Sequence, residues 1–74
     1  MEKKELAKKI KSLLVENGID VPVTTERFFI HCRCYLNQEK RNKIVDVLSK
    51  HFEIKQRVDI ANDYIIENQT ICLL

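Results

Sequence analysis

The hydrophobic positions at the start of the chain recur at intervals of three and four residues, which is the period of an amphipathic helix. They are Leu6, Ile10, Leu13 and Leu14. This pattern predicts a helix over residues 2–17. Asn17 and Gly18 mark its end, because glycine readily adopts the left-handed backbone conformation that closes many helices.

A second helical period covers residues 38–51. Its apolar side comprises Ile44, Val45, Leu48 and Phe52. Asn37 precedes this stretch and is a favourable N-cap, and Glu39 lies in the first turn, where a negative charge interacts well with the helix dipole. We therefore expect the second helix to start directly after Asn37.

Alternation of apolar and polar residues, the period of a β-strand, is clearest over residues 26–36. The apolar positions of this predicted strand are Phe28, Ile30, Cys32, Cys34 and Leu36. The other predicted extended segments are residues 19–24, 53–60 and 64–74, the last with an optional break at Asn68-Gln69. Pro22 favours an edge strand, because proline cannot donate to a sheet ladder. Residues 61–63 (Ala-Asn-Asp) are typical of a hairpin loop.

The predicted order is helix, strand, strand, helix, strand, strand. This αββαββ order predicts an α+β two-layer sandwich, in which a four-stranded antiparallel sheet carries both helices on one face. It corresponds to a ferredoxin-like topology whose first strand has moved to the end of the chain. No linker, low-complexity tract or block of like charge divides the 74 residues, so we expect one domain over residues 1–74.

Composition and cysteine count narrow the functional class. Hydrophobic residues make up 45% and charged residues 32% of the chain, which fits a folded protein, and a net charge of +2 does not identify a nucleic-acid binder. An odd number of cysteines cannot all pair, and Cys32 and Cys34 are poorly placed to bridge each other. We therefore predict reduced thiols and a cytoplasmic protein, without a signal peptide or a membrane-spanning segment.

Several chemistries lack their required residues. A single glycine is too few for the glycine-rich loops that bind nucleotide phosphates, and both serines lie on predicted helices, away from any nucleophile turn. The chain also has no His-Glu-x-x-His motif, EF-hand loop or paired Cys-x-x-Cys motif. We therefore predict a protein without enzymatic activity and without a cofactor.

Two residue sets could still support chemistry. Soft ligands sufficient for one zinc ion are Cys32, Cys34, Cys72 and His51. Buried cysteines more often act as small apolar side chains, so no metal is predicted. His31 beside Arg33 would suit the general acid or base of a small endoribonuclease, but no motif places a second acid or base near it.

The polar side of the predicted strand 26–36 is the principal candidate site, and we call its residues the outer set. The outer set comprises Arg27, Phe29, His31, Arg33 and Tyr35. Lys55 and Arg57, expected on a neighbouring strand, extend its basic character, whereas Glu53 and Asp59 dilute it. Exposed aromatic and arginine side chains suit a protein interface, and they also suit single-stranded RNA or DNA.

Mixed charge favours a protein partner for the outer set, either a different protein or a second copy of the chain in a homodimer. We therefore predict a binding protein that acts through protein–protein contacts and has no membrane partner and no small-molecule cofactor. By analogy with other small chains it would be an adaptor, regulator or inhibitor, including the types found in phages and mobile elements. Single-stranded nucleic-acid binding is the first alternative, and a His-dependent endoribonuclease is the second.

Overall fold

The computed structural model describes residues 2–27, 29–35, 37–56 and 63–74. The elements, in chain order, are α1 (Lys3–Glu16), β1 (Val23–Thr25), β2 (Phe29–Cys32), α2 (Gln38–Ser49), β3 (Lys55–Gln56), β4 (Asp63–Ile66) and β5 (Gln69–Leu73). They form a small α+β domain with two helices and a mixed sheet. The predicted fold class is therefore confirmed at this level.

The first helix ends as the sequence predicts. Gly18 has a φ of 72°, and its N–H donates to the carbonyl of Val15 at 3.0 Å. The N–H of Ile19 reaches back to the carbonyl of Leu14 at 2.8 Å. These two bonds form a Schellman motif, and the buried side chain of Ile19 supplies the hydrophobic contact that accompanies it.

The second helix has the predicted cap. The side chain of Asn37 accepts a hydrogen bond from the N–H of Lys40 at 3.1 Å, and the helix ends at Ser49, two residues before the predicted end. Ile44 and Leu48 are buried as expected. Arg41 is also buried, with 9% of its surface exposed, although the sequence gives no sign of this.

The sheet has the strand order β1-β2-β5-β4-β3 in the described part of the chain. β2 and β5 run parallel, while the other three neighbouring pairs are antiparallel. The prediction of an all-antiparallel, four-stranded sheet is therefore wrong, and the permuted ferredoxin-like topology is not confirmed. Parallel pairing needs a long crossover, which here contains α2 and the β3–β4 pair.

Two strand boundaries differ from the sequence prediction. The predicted strand 26–36 contains only the four residues of β2. The predicted final strand is broken into two strands, β4 and β5, and the break lies at Glu67 and Asn68, one residue before the optional break at Asn68-Gln69; the φ values there are 52° and 65°. Positive φ at both central residues is typical of a tight type I′ hairpin. Asp63, predicted in a loop, begins β4, whereas Phe28, Leu36 and residues 57–62 lie outside the described residues.

The core joins both helices to the central strands. Fully buried members are Leu6, Ile10 and Leu14 from α1, Ile44 from α2, and Ile30, Cys32, Ile66 and Ile71 from the sheet. Burying one leucine or isoleucine side chain contributes about 1.5–3 kcal/mol relative to leaving it exposed. Neither described helix is long and apolar enough to cross a lipid bilayer.

Candidate functional site

The alternation of β2 decides which side chains face away from the core. Ile30 and Cys32 lie within the core, so Phe29 and His31 project from the opposite side of the sheet, which we call the outer face. The register pairs His31 with Cys72 on β5 and Cys72 with Asp63 on β4. A thiol therefore lies between an imidazole and a carboxylate in one row across three strands of the outer face.

The outer set is only partly exposed. Tyr35 is 72% exposed, but it lies in a turn after β2 rather than on the strand, with a φ of 53°. Arg27 is exposed in the bend between β1 and β2, and Arg33 and Phe29 are half-buried. His31 is only 8% exposed. The prediction that all five side chains line one exposed strand face is therefore wrong, because only Phe29 and His31 lie on β2 and His31 is buried.

Glu26 lies at the centre of this group. One of its carboxylate oxygens is 3.4 Å from Nε2 of His31, and the other is 3.7 Å from Nη2 of Arg33. The ring of Phe29 lies against the imidazole of His31, with centroids 5.9 Å apart and an interplanar angle of 60°. The sequence pattern did not predict a role for Glu26, which faces Phe29 across the β1–β2 hairpin.

The row of His31, Cys72 and Asp63 brings three chemically reactive types of side chain together, but these side chains are hardly accessible from solvent. Side chains directly opposite each other on neighbouring strands have Cβ atoms about 5 Å apart, so each side chain in the row is adjacent to the next. All three residues are buried, with 7–8% of their surface exposed. Neither Asp63 nor Cys72 was predicted on the outer face, since one was assigned to a loop and the other to the core.

The predicted zinc set is not assembled. Cys32 and Cys34 lie in the core, the register places Cys72 on the outer face, and His51 is exposed after α2. In the described ranges, no three histidine, cysteine or carboxylate side chains are grouped so that they could hold a metal ion.

The thiols of the core are unreactive. Burial raises the pKa of Cys32 from 9.0 to about 12, and the neighbouring Cys34 and Cys72 raise it further. Burial also raises the pKa of Cys34, against the opposing effect of Arg41 and Lys40. Both groups are therefore neutral thiols near pH 7, and a neutral thiol is a poor nucleophile and a poor metal ligand.

The predicted basic extension is remote from the outer set. Lys55 lies on β3, and β5 and β4 separate that strand from β2. Three strand spacings amount to about 14 Å, so the ammonium group of Lys55 is not part of the outer set. Arg57 lies outside the described residues.

The exposed surface of this region is small and has mixed charge. It consists of the ring of Tyr35, the guanidinium groups of Arg27 and Arg33, and the carboxylate of Glu26, around the half-buried ring of Phe29. Tyrosine and arginine are the residues most enriched at the energetic centres of protein interfaces. No protein-family model, curated protein or solved structure matches this chain.

Proposed function

We propose that this domain is a non-enzymatic protein-binding module, an adaptor, regulator or inhibitor, that acts through the outer set. The conformation of Tyr35 carries this proposal. Its ring is 72% exposed while its backbone has a φ of 53°, in the left-handed region. This conformation costs an ordinary L-residue about 1–2 kcal/mol, and an exposed ring offsets little of that cost within the chain. A partner that buries the ring would give the conformation a function.

The turn holds Tyr35 in place before any partner binds. The N–H of Asn37 donates to the carbonyl of Cys34 at 3.1 Å and closes the turn around Tyr35. On the preceding side, the N–H of Arg33 donates to the carbonyl of Pro22 at 2.9 Å. An aromatic side chain on a fixed backbone loses little conformational entropy on binding, which favours its use as an anchor.

The distribution of charge favours a protein partner over nucleic acid. The carboxylate of Glu26 lies between His31 and Arg33 and would repel a phosphate group that approaches the guanidinium group of Arg33. Phe29 is half-buried and tilted against His31, which leaves Tyr35 as the one fully projecting ring of the outer set. Binding to single-stranded nucleic acid generally uses several stacking rings in a positively charged groove.

We also take both helices to lie on the core side of the sheet, in a two-layer arrangement that leaves the ring of Tyr35 uncovered by either helix. Contacts of α1 with α2 and with β1, and the shared core, support this arrangement. The burial of His31 argues against the endoribonuclease alternative. Both ring nitrogens are buried and make no hydrogen bond within the described residues, whereas a general acid or base must reach its substrate.

The test uses immobilised wild-type protein, Tyr35→Asn and Lys50→Gln as baits in an extract of the source cells. Asparagine tolerates the left-handed conformation, so Tyr35→Asn removes the ring while the domain stays at least as stable as the wild type. We expect a captured protein whose retention falls roughly 30-fold or more with Tyr35→Asn, as for an interface hot spot. Lys50→Gln, on α2 and away from the outer set, should retain it fully.

Nuclease treatment and light scattering separate the remaining outcomes. Retention that vanishes with nuclease and falls steeply with salt would establish the nucleic-acid alternative instead. A dimer seen by size-exclusion chromatography with light scattering, and lost with Tyr35→Asn, would identify the partner as a second copy of the chain. Equal behaviour of wild type and Tyr35→Asn in all these assays would contradict the proposal.

A further inference from the structure

β1 forms one edge of the described sheet. β2 is the only neighbour of β1 in the described sheet. The N–H of Glu26 donates to the carbonyl of Phe29, and the N–H of Arg33 donates to the carbonyl of Pro22. Because hydrogen-bonded positions alternate along an antiparallel pair, residues 22, 24 and 26 are the ones that bond to β2. The alternation then directs the N–H and C=O groups of Val23 and Thr25 away from β2.

A groove runs along this edge between α1 and β1. It has a volume of about 550 Å³, with Val23 and Thr25 on one side and Lys4, Lys8 and Lys11 on the other. The three lysines span two helical turns, a length of about 10 Å, which matches the length of three strand residues. The groove therefore places a row of positive charge parallel to a row of open backbone hydrogen-bonding groups.

Lysines already bind backbone carbonyl groups at both ends of this edge. The ammonium group of Lys11 donates to the carbonyl of Val21 at 2.7 Å. At the other end, Lys3 donates to the carbonyls of Glu26 and Arg27. Between them, the exposed ammonium groups of Lys4 and Lys8 have no acceptor or ion-pair partner among the described residues.

We propose that this groove binds an extended acidic peptide of a partner protein, which adds a strand to the sheet at β1. The backbone of the peptide hydrogen-bonds to Val23 and Thr25, and its carboxylates bind Lys4 and Lys8. Strand addition of this kind gives affinity through main-chain hydrogen bonds and specificity through alternate side chains. The groove is separate from the outer set, so its failure in an experiment would leave the proposed function intact.

The chemistry of the groove favours this occupant over two others. A second copy of the chain paired through β1 would bring two rows of lysines together, and like charges in such positions repel. Nucleic acid would be attracted by the lysines, but the described residues that line the groove include no aromatic ring for stacking. The alternating N–H and C=O groups of Val23 and Thr25 match those of a peptide backbone. A phosphate group can accept hydrogen bonds from the N–H groups, but it cannot donate any to the C=O groups.

The first experiment titrates the full ¹⁵N-labelled chain with the blocked peptide acetyl-Glu-Val-Glu-Val-Glu-amide. We expect the amide resonances of Val23 and Thr25 to shift and their hydrogen exchange to slow, since each would gain a hydrogen-bond acceptor. Changing both Lys4 and Lys8 to Gln should weaken binding roughly 3- to 30-fold, the range for two partly exposed charge pairs. Lys43→Gln with Lys50→Gln removes the same charge from α2 and should leave the affinity unchanged.

A second variant tests the hydrogen bonds of the edge directly. Thr25→Pro removes an outward N–H without breaking a bond to β2, whereas Thr25→Val keeps that N–H. We expect binding to be lost with proline and kept with valine. If the proline variant does not fold by circular dichroism, a peptide N-methylated at alternate residues makes the same test on the ligand. The proposal would be overturned if the resonances that shift lie away from β1, or if oligo-dT binds in preference to the peptide. It would also be overturned if Thr25→Pro binds the peptide as well as the wild type does, or if binding is unchanged both by methylating the peptide at one set of alternate residues and by methylating it at the other set.

Discussion

At the scale of single residues, Cys32 makes the free energy of unfolding depend on pH in the alkaline range. Its side chain is fully buried, and its pKa is raised from 9.0 to about 12. Burial is the largest cause, followed by the proximity of Cys34 and Cys72, while Lys11 acts in the opposite direction. In the unfolded chain the same thiol loses its proton near its ordinary pKa. The folded state therefore binds one more proton than the unfolded state between these two values.

This difference predicts a loss of stability as the pH rises. Below pH 9.0 both states keep the proton, and the contribution of Cys32 is constant. Above it, the free energy of unfolding should fall by up to about 1.4 kcal/mol per pH unit until the pKa of the folded state near 12. Urea unfolding of wild type and Cys32→Ala at pH 8, 9.5 and 10.5 checks this, because other titrating groups cancel in the difference. Parallel curves for the two proteins would contradict it.

Helices and strands differ in how much of their structure is encoded locally. The start of α2 follows from the Asn37 cap and the end of α1 from Gly18, because a cap depends on neighbouring residues alone. The strands depend on partners distant in sequence. β2 ends at Cys32 although the alternation continues to residue 36, since the chain then turns at Tyr35. The burial of His31, Arg41 and Asp63 was likewise unpredictable, because polar residues indicate a surface until their neighbours are known.

The end of α1 gives a prediction at the scale of one element. A Cβ added at Gly18 would meet no atom within 4 Å, so the cost of Gly18→Ala arises from the backbone φ of 72° alone. We expect this change to lower the free energy of unfolding by about 1 kcal/mol. Gly18→Asn should cost less than Gly18→Ala, because asparagine tolerates the left-handed region. Urea unfolding monitored by far-UV circular dichroism measures both, and an alanine variant as stable as the wild type would refute the prediction.

At the scale of the whole molecule, β5 connects the two halves of the chain. It pairs with β2 on one side and β4 on the other, and Ile71 lies opposite both Ile30 and Tyr64. The sequence could not predict this arrangement, because alternation along a strand is the same in parallel and antiparallel pairs. The same alternation did predict that Ile30, Cys32 and Cys34 face the core, since one buried face requires only the period.

The position of Ile71 predicts one cooperative unfolding transition that involves both halves. Ile71 is fully buried, whereas Ile65, on the adjacent strand β4, is half-buried. Replacing Ile71 with alanine should cost about 2–5 kcal/mol, and Ile65→Ala distinctly less, because less apolar surface is lost there. Tyrosine fluorescence reports on Tyr35, which precedes α2, and on Tyr64, which lies on β4, and far-UV circular dichroism reports mainly on the helices. Each of the variants Tyr35→Phe and Tyr64→Phe keeps a single tyrosine. In both, replacing Ile71 should lower the urea midpoint of unfolding by the same amount whether it is measured by fluorescence or by circular dichroism. Separate transitions for the two halves would mean that β5 does not join them into one cooperative unit.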